Sequence, residues 1–301
     1  MLDRLKRAMN LTRVAIVPPR AQPGRTGIAV VAIVKNEVGF IAEWARFHAA
    51  AGVQHFYIYD NGCTDGTIGA LAQALPASMV TVIPWNQTFR LGFWQGEVHN
   101  QMLAYAHATR NFGGSYRWMT WIDIDEFLVP KTETLTEALA PLQDHAMISL
   151  PWHMFGRGGH KAAPKGGVVP NYLARNPDPM AKSLLKFKVI CDPCQVTACK
   201  VHWMEVNGRT DSVNDRGVIA TLKGRDAPGF YSADRIQLNH YYTRSDEDLQ
   251  RKMARGSNMT VAQAAHERRM MRKVAAIEAA EIDDTTAALW WAKYRKDVIQ
   301  S

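Results

Sequence analysis

An α/β domain built on a largely parallel sheet is the fold class this sequence predicts, and three observations predict it. Residues 27–34, GIAVVAIV, form an almost continuous apolar and β-branched run, as expected of a parallel strand buried on both faces. Strand, helix, strand, helix and strand then follow one another within about 60 residues, the rhythm of βαβ units. Polar clusters punctuate the strand ends, where open parallel sheets bind their ligands.

Residues 1–26 read as an N-terminal extension, in which LDRLKRAMNL suits a short basic amphipathic helix and PPRAQPG breaks it. After the first strand, FIAEWARFHAAAG at 40–52 carries apolar residues at helical spacing and stops on Gly52. HFYIYD at 55–60 is the second strand, NGCTDGT a polar turn, TIGALAQALP a helix, and MVTVIPW the third strand. A further helix is predicted over 94–109, then a strand YRWMTWIDID at 116–125 and another, AMISLPWHMF, at 146–155. Residues 156–236 are rich in loop signals. From Asp246 onward two or three helices are expected, with DDTT at 283–286 capping the last. The predicted organisation is an extension (1–26), one α/β domain (27–245) and a helical C-terminal extension (246–301) packing on it.

The 301 residues are 47% apolar and 21% charged, enough for a sizeable core and unlike a disordered or fibrous chain. No apolar run approaches the ~18 residues of a spanning helix. The start lacks the apolar stretch and cleavage site of a signal peptide. Cys191 and Cys194 form a CDPC pair, but structural zinc wants a second pair and none follows, so free thiols are expected. That favours a cytoplasmic location, or one peripheral to the inner face of a membrane. The net charge of +8 suits anionic partners, yet the basic residues are scattered without an RNA-binding pattern, so nucleic acid is not expected. Trp290, Trp291 and Tyr294 beside Lys293, Arg295 and Lys296 suit either an interfacial membrane contact or docking onto the core.

Three polar clusters fall at the carboxyl ends of predicted strands: Lys35-Asn36-Glu37, Asp60-Asn61, and Asp123 to Glu126. Each alone reads as a strand-terminating turn, but together on one edge they describe a shared polar site. Asp123 and Asp125 lie two apart and would face one side of an ideal strand. Such a pair repels unless a cation intervenes. Mg²⁺ or Mn²⁺ takes one or two carboxylates and completes its shell with substrate phosphates, which points to a nucleotide-diphosphate donor.

Four segments carry a resemblance: VKNEVGFIAEWARFHAAAGVQHFYIYDNGCTDGT at 34–67, WIDIDEFLVP at 121–130, PWHMFGRGGH at 151–160 and LNHYYTRSDEDLQRKMARG at 238–256. In this order the chain resembles a glycosyltransferase of the GT-A fold, specifically family 92, and its first two segments echo family 2. The resemblance implies a metal-dependent, inverting transfer from a nucleotide sugar, UDP-linked by expectation, to a glycan or lipid-linked acceptor in the synthesis of a surface polysaccharide. It implies donor contacts from Lys35, Asn36, Glu37, Asp60 (the base), Asn61 and Asp123 (the ribose), with Arg90 or His99-Asn100 toward the diphosphate. The metal would sit on Asp125 and Asp123, completed by His202 or, as the alternative, His240. The acceptor would meet Trp152, Phe155, Gly156 and His160. Base candidates are Glu205, Asp211 and His153, and Glu126 would orient a neighbour or cap the next turn. Where small hydroxyl residues are expected after the FG of the third segment, Arg157-Gly158-Gly159 stands instead, and Arg157 suits an anionic acceptor or a solvated surface. Two other classes compete: a nucleotidyltransferase, which would carry a Gly-rich basic loop where VKNEVGF stands, and a non-catalytic nucleotide-sugar module, which would need neither the carboxylate pair nor the acceptor loop.

Overall fold

The structure, a computed structural model, describes residues 11–91, 96–255 and 263–295. The predicted N-terminal helix lies largely outside them. β1 (Thr26–Val34), α1 (Ile41–Ala50), β2 (Val53–Asp60), α2 (Thr67–Ala74) and β3 (Val80–Pro84) follow in the predicted order. Next come α3 (Asn100–Phe112), β4 (Tyr116–Trp121), β5 (Glu126–Pro130), the short α4 (Leu135–Leu139), β6 (Met147–Met154), β7 (Phe187–Cys191) and β8 (Ile236–His240). Helices α5 (Asp246–Arg255), α6 (Gln263–Glu278) and α7 (Thr286–Tyr294) close the described chain.

The expected mixed sheet flanked by helices is present. Its 10 strands run from a hairpin (Ser212–Val213 and Ile219–Ala220) through β6, β7, β4, β1 and β2 to β3, and β8 joins β6 to β5. Pairing is parallel from β4 to β3 and between β6 and β8, whereas β7 runs antiparallel to both its neighbours. β1 is buried on both faces, as its composition requires. Ile28, Val30, Ala32 and Val34 pack with α1 and α2, while Ala29 and Val31 pack with Ala104, Tyr105 and Ala108 of α3. Gly52 ends α1 at φ 89, a conformation that favours glycine, and its N–H reaches the Ala49 carbonyl at 3.0 Å.

Three differences from the sequence reading have local causes. The helix predicted over 94–109 begins only at Asn100, because Leu11 pairs with this segment and exchanges backbone hydrogen bonds with Glu97 and His99 at 3.1 and 3.2 Å. The strand predicted over 116–125 stops at Trp121 and turns. Glu126 donates its N–H to the Asp123 carbonyl at 3.0 Å, and the Glu126 carboxylate accepts the Asp123 N–H at 2.8 Å, so the turn closes on itself. The loop-rich middle hides β7, which occupies the centre of the sheet.

At the C-terminus Asp284 accepts the Thr286 N–H at 2.9 Å, so DDTT does start a helix. The Trp290 ring lies 4.9 Å from that of Phe47 and its indole donates to the Thr132 carbonyl at 3.0 Å. That aromatic face docks onto the core. Among the described residues no helix is long and apolar enough to cross a membrane.

The core also contains a histidine that must remain neutral. His48 is fully buried, donates from Nδ1 to the Trp44 carbonyl at 2.8 Å and accepts the Leu128 N–H on Nε2 at 3.2 Å. Burial pushes its pKa down to about 4. An unfolded-state histidine titrates near 6.5, so between there and 4 the unfolded chain binds a proton that the native chain does not. Stability from this group is complete above ~6.5 and is lost as pH falls toward 4, on the order of 3 kcal/mol in all. Urea titrations of the wild type and His48→Gln at pH 7 and pH 4.5 check this. The variant should lose less on acidification, and equal losses would remove His48 from the account.

Candidate active site

A cleft of ≈ 1310 Å³ opens along the carboxyl edge of the sheet. Its position follows from register. Val34 pairs with Asp60 and Val31 with Trp121, so the residues just past β1, β2 and β4 emerge side by side. On that edge Lys35, Glu37, Asn61, Asp123 and Asp125 line the cleft. From the other side β8 brings His240 opposite Glu126 and Met154, while α5 and α6 supply Lys252 and Lys273.

The turn between β4 and β5 separates the two aspartates rather than placing them on one strand face, and each has its own cation. Asp123 accepts from Gln101 Nε2 at 2.6 Å and from Lys188 Nζ at 3.2 Å. Lys188 is delivered by the antiparallel run of β7 beside β4, with its side chain only 2% exposed. It also lies 3.3 Å from Glu126, which is fully buried with one carboxyl oxygen unpartnered among the described residues. Burial pushes Glu126 up to about 8 despite Lys188. Burial also opposes the Lys188 charge, but Asp123 and Glu126 outweigh it and hold the ammonium well above its usual range. One cation thus stands between two carboxyl groups, of which burial favours protonation of Glu126.

Asp125 contacts Lys252 Nζ at 2.7 Å and His240 Nε2 at 3.4 Å, and Lys252 also donates to the Tyr242 carbonyl at 2.9 Å. Burial works against the Asp125 charge, yet Lys252 and His240 hold its carboxyl well below the usual range. His240, desolvated, is pushed down to about 4 and is neutral. An ionised carboxylate oxygen and a neutral imidazole nitrogen 3.4 Å apart fit two sites in the shell of a small divalent ion, leaving the rest to water and phosphate oxygens. The fit is minimal: among the described residues no group of three His, Cys, Asp or Glu side chains is assembled for a metal.

The other sequence-predicted residues divide into those that reach the cleft and those that do not. His99, Asn100, Trp152 and His202 line it. His202 packs 5.3 Å from the Trp152 ring, and it is His240 that touches Asp125. Asn36 instead stitches two loops, accepting the Thr64 N–H at 2.9 Å, and Asp60 accepts the Cys63 N–H at 2.8 Å. Arg90, on a two-residue strand, is exposed.

Glu205, Asp211 and His153 are not brought to the cleft. Glu205 forms a bidentate pair with Arg13 at 2.6 and 2.5 Å, and Asp211 pairs with Arg209 at 2.5 Å. His153 is buried at 3.0 Å from the Tyr231 hydroxyl, and burial pushes it down to about 3. Phe155 is fully buried, 4.7 Å from the Tyr241 ring, so it offers no face to a sugar. Gly156 is packed where a Cβ would meet Glu281 at 2.5 Å, and His160 contacts the Asn171 carbonyl at 3.2 Å. Arg157 is partly exposed but not free, being bound to Glu278 and to Asp246 at 2.7 Å. All four cysteines are free thiols.

Sequence reasoning passed over Gln101, Lys188, Lys252 and Lys273. Only Lys188 left a signal, as a lysine between Phe187 and Val189 in an otherwise apolar strand.

Comparison with known proteins gives a family-model match, described as glycosyltransferase family 92, over residues 29–275. A glycosyltransferase family 92 protein of Oryza sativa subsp. japonica is 32% identical over 152 residues, covering 49% of this chain and 24% of the relative. One from Ricinus communis is 27% identical over 167 residues, covering 51% and 28%. The matched region thus makes up about a quarter of those relatives. Among solved structures, the mannosyltransferase Ktr4p of S. cerevisiae aligns at a TM-score of 0.30 with 11% identity, over 60% of this chain and 48% of that one. A core-mannan synthase A of Aspergillus fumigatus, in a Mn/GDP form, aligns at 0.27 with 12% identity, over 49% and 47%.

Proposed function

This chain belongs to glycosyltransferase family 92, and from that premise we propose that it transfers a sugar from a nucleotide diphosphate donor to a hydroxyl of a glycan or lipid-linked acceptor. The observation that carries the reading is the pair Asp123 and Asp125 at the head of the cleft, each paired with a separate lysine. Carboxylates maintained at such cost on a ligand-binding sheet edge suit a cationic or hydroxyl-rich ligand better than a structural role.

In this proposal the nucleoside, by preference uridine, lies along the β1 and β2 edge by Lys35, Glu37 and Asn61, with Asp60 reading the base. Gln101 and Lys188 fix Asp123 so that its carboxylate can accept from a ribose hydroxyl. Asp125 and His240 would hold Mn²⁺ or Mg²⁺, which when bound neutralises charge on the departing diphosphate. Lys252, resting on Asp125, adds a donor at the same place. The course of transfer is taken as inverting, and the anomeric configuration of the product by NMR decides it.

A thermal-shift screen of UDP, GDP and their sugars, with and without Mn²⁺, tests the reading. A nucleotide at about a hundred times its Kd should raise the melting temperature by about 5 °C, more with the ion present. No shift with any nucleotide would sink the proposal. Asp60→Ala should weaken UDP binding about tenfold by calorimetry. Its own melting temperature serves as control because Asp60 also supports the turn at Cys63.

A further inference from the structure

The cleft carries more positive charge than its donor site needs. Among the described residues four carboxylates line it, Glu37, Glu97, Asp123 and Asp125, of which Glu37 lies 3.3 Å from Arg244 while Asp123 and Asp125 pair with Lys188 and Lys252. Lys186, Arg269, Arg272 and Lys273 also line it, and none of them has an ion pair with a described carboxylate. Lys273 Nζ lies 4.7 Å from the Trp152 ring centre and 4.8 Å from that of Tyr242, in cation–π contact with both. Beside it, Trp152 Nε1 and His202 Nδ1 are buried in the cleft lining with no hydrogen-bond partner among the described residues. Crowding like charges and leaving polar atoms unpartnered both cost stability, and an anionic, hydroxyl-bearing ligand would relieve both. Burial and the neighbouring Lys252 and Lys186 push Lys273 down to about 8, a strain of the kind such a ligand removes.

Strand order says where this wall lies. Lys35 and Asn61 follow β1 and β2 on one side of β4, whereas Lys186 precedes β7 and Trp152 belongs to β6 on the other. The wall is therefore across the Asp123–Asp125 turn from the edge assigned to the nucleoside. Arg157 cannot supply the anionic preference that its sequence context suggested, because Glu278 and Asp246 already neutralise it.

Resting on the transferase reading, we propose that this wall receives the acceptor, and that the acceptor is an anionic glycan whose carboxylate or phosphate is held by Lys186, Arg272 and Lys273 above Trp152. The two sources share one chemistry, an anionic oxygen cluster beside sugar hydroxyls. A neutral glycan would leave the wall's charge uncompensated.

The test uses the full chain with saturating UDP and Mn²⁺ at an ionic strength of about 0.15 M. Binding of a galacturonate tetramer, a phosphorylated mannopentaose and a neutral mannopentaose is compared by calorimetry. At least one anionic probe should bind about tenfold more tightly than the neutral one, and the stronger of the two identifies the source. Lys273→Gln and Lys186→Gln, checked by melting temperature, should each remove about tenfold of that binding and leave UDP binding within about twofold. Equal binding of charged and neutral probes would overturn the proposal and leave the transferase reading standing. So would a loss of UDP binding as large as the loss of glycan binding, which would assign the wall to the donor. Failure of UDP to bind the wild type would instead overturn the transferase reading, and this inference with it.

Discussion

Asp125→Asn is expected to lower turnover of a nucleotide sugar on the order of 10²–10³-fold while leaving a folded, cooperatively melting protein. The substitution keeps the shape of the side chain and removes its charge. Asp125 is where Lys252 and His240 converge, so its charge holds both of these groups in place in the cleft. A loss of this size is what the removal of one preorganised electrostatic contact costs in a water-poor site. The Tyr241 N–H bonds to the Asp125 backbone carbonyl at 2.8 Å, which the variant retains, so the turn should survive. Hydrolysis or transfer assays alongside thermal melts decide the point. Turnover within a few-fold of wild type would remove Asp125 from the reaction.

Lys188→Met should be the most destabilising single change in the site, by about 3 kcal/mol, the lower end of the range for stripping a buried charge of its partner. The lower end applies because Asp123 is 35% exposed and water can partly replace the ammonium, and because burial favours protonation of Glu126. For a chain of this size the melting temperature should fall by about 6–12 °C. Adding Glu126→Gln, which cannot ionise, should cost less in the Lys188→Met background than in the wild type if the two residues form one unit. A single variant that melts with the wild type would show that the cluster contributes no net stability.

Most of the sheet was legible from sequence because its strands are apolar throughout, and GIAVVAIV admits few other readings. β7 was not, since Lys188 interrupts its apolar pattern and only the neighbouring carboxyl groups of Asp123 and Glu126 explain it. The acidic half of the site was legible for a related reason. A carboxylate just past a buried strand is conspicuous, as at Asp123 and Asp125. The cationic half was hidden because Lys252, Arg272 and Lys273 lie in helices where lysine and arginine are ordinary surface residues. The acceptor residues failed differently: Phe155 and Gly156 belong to the same segment as Trp152 but are consumed by packing.

The resting contact between Lys252 and Asp125 has a thermodynamic consequence. The carboxylate is neutralised by the fold itself, so any divalent ion that reaches it arrives by exchange, and the displaced ammonium then needs another anion. A diphosphate is such an anion. Ion and nucleotide would then each strengthen the binding of the other by the same factor, and the free chain would hold either one alone less tightly than both together.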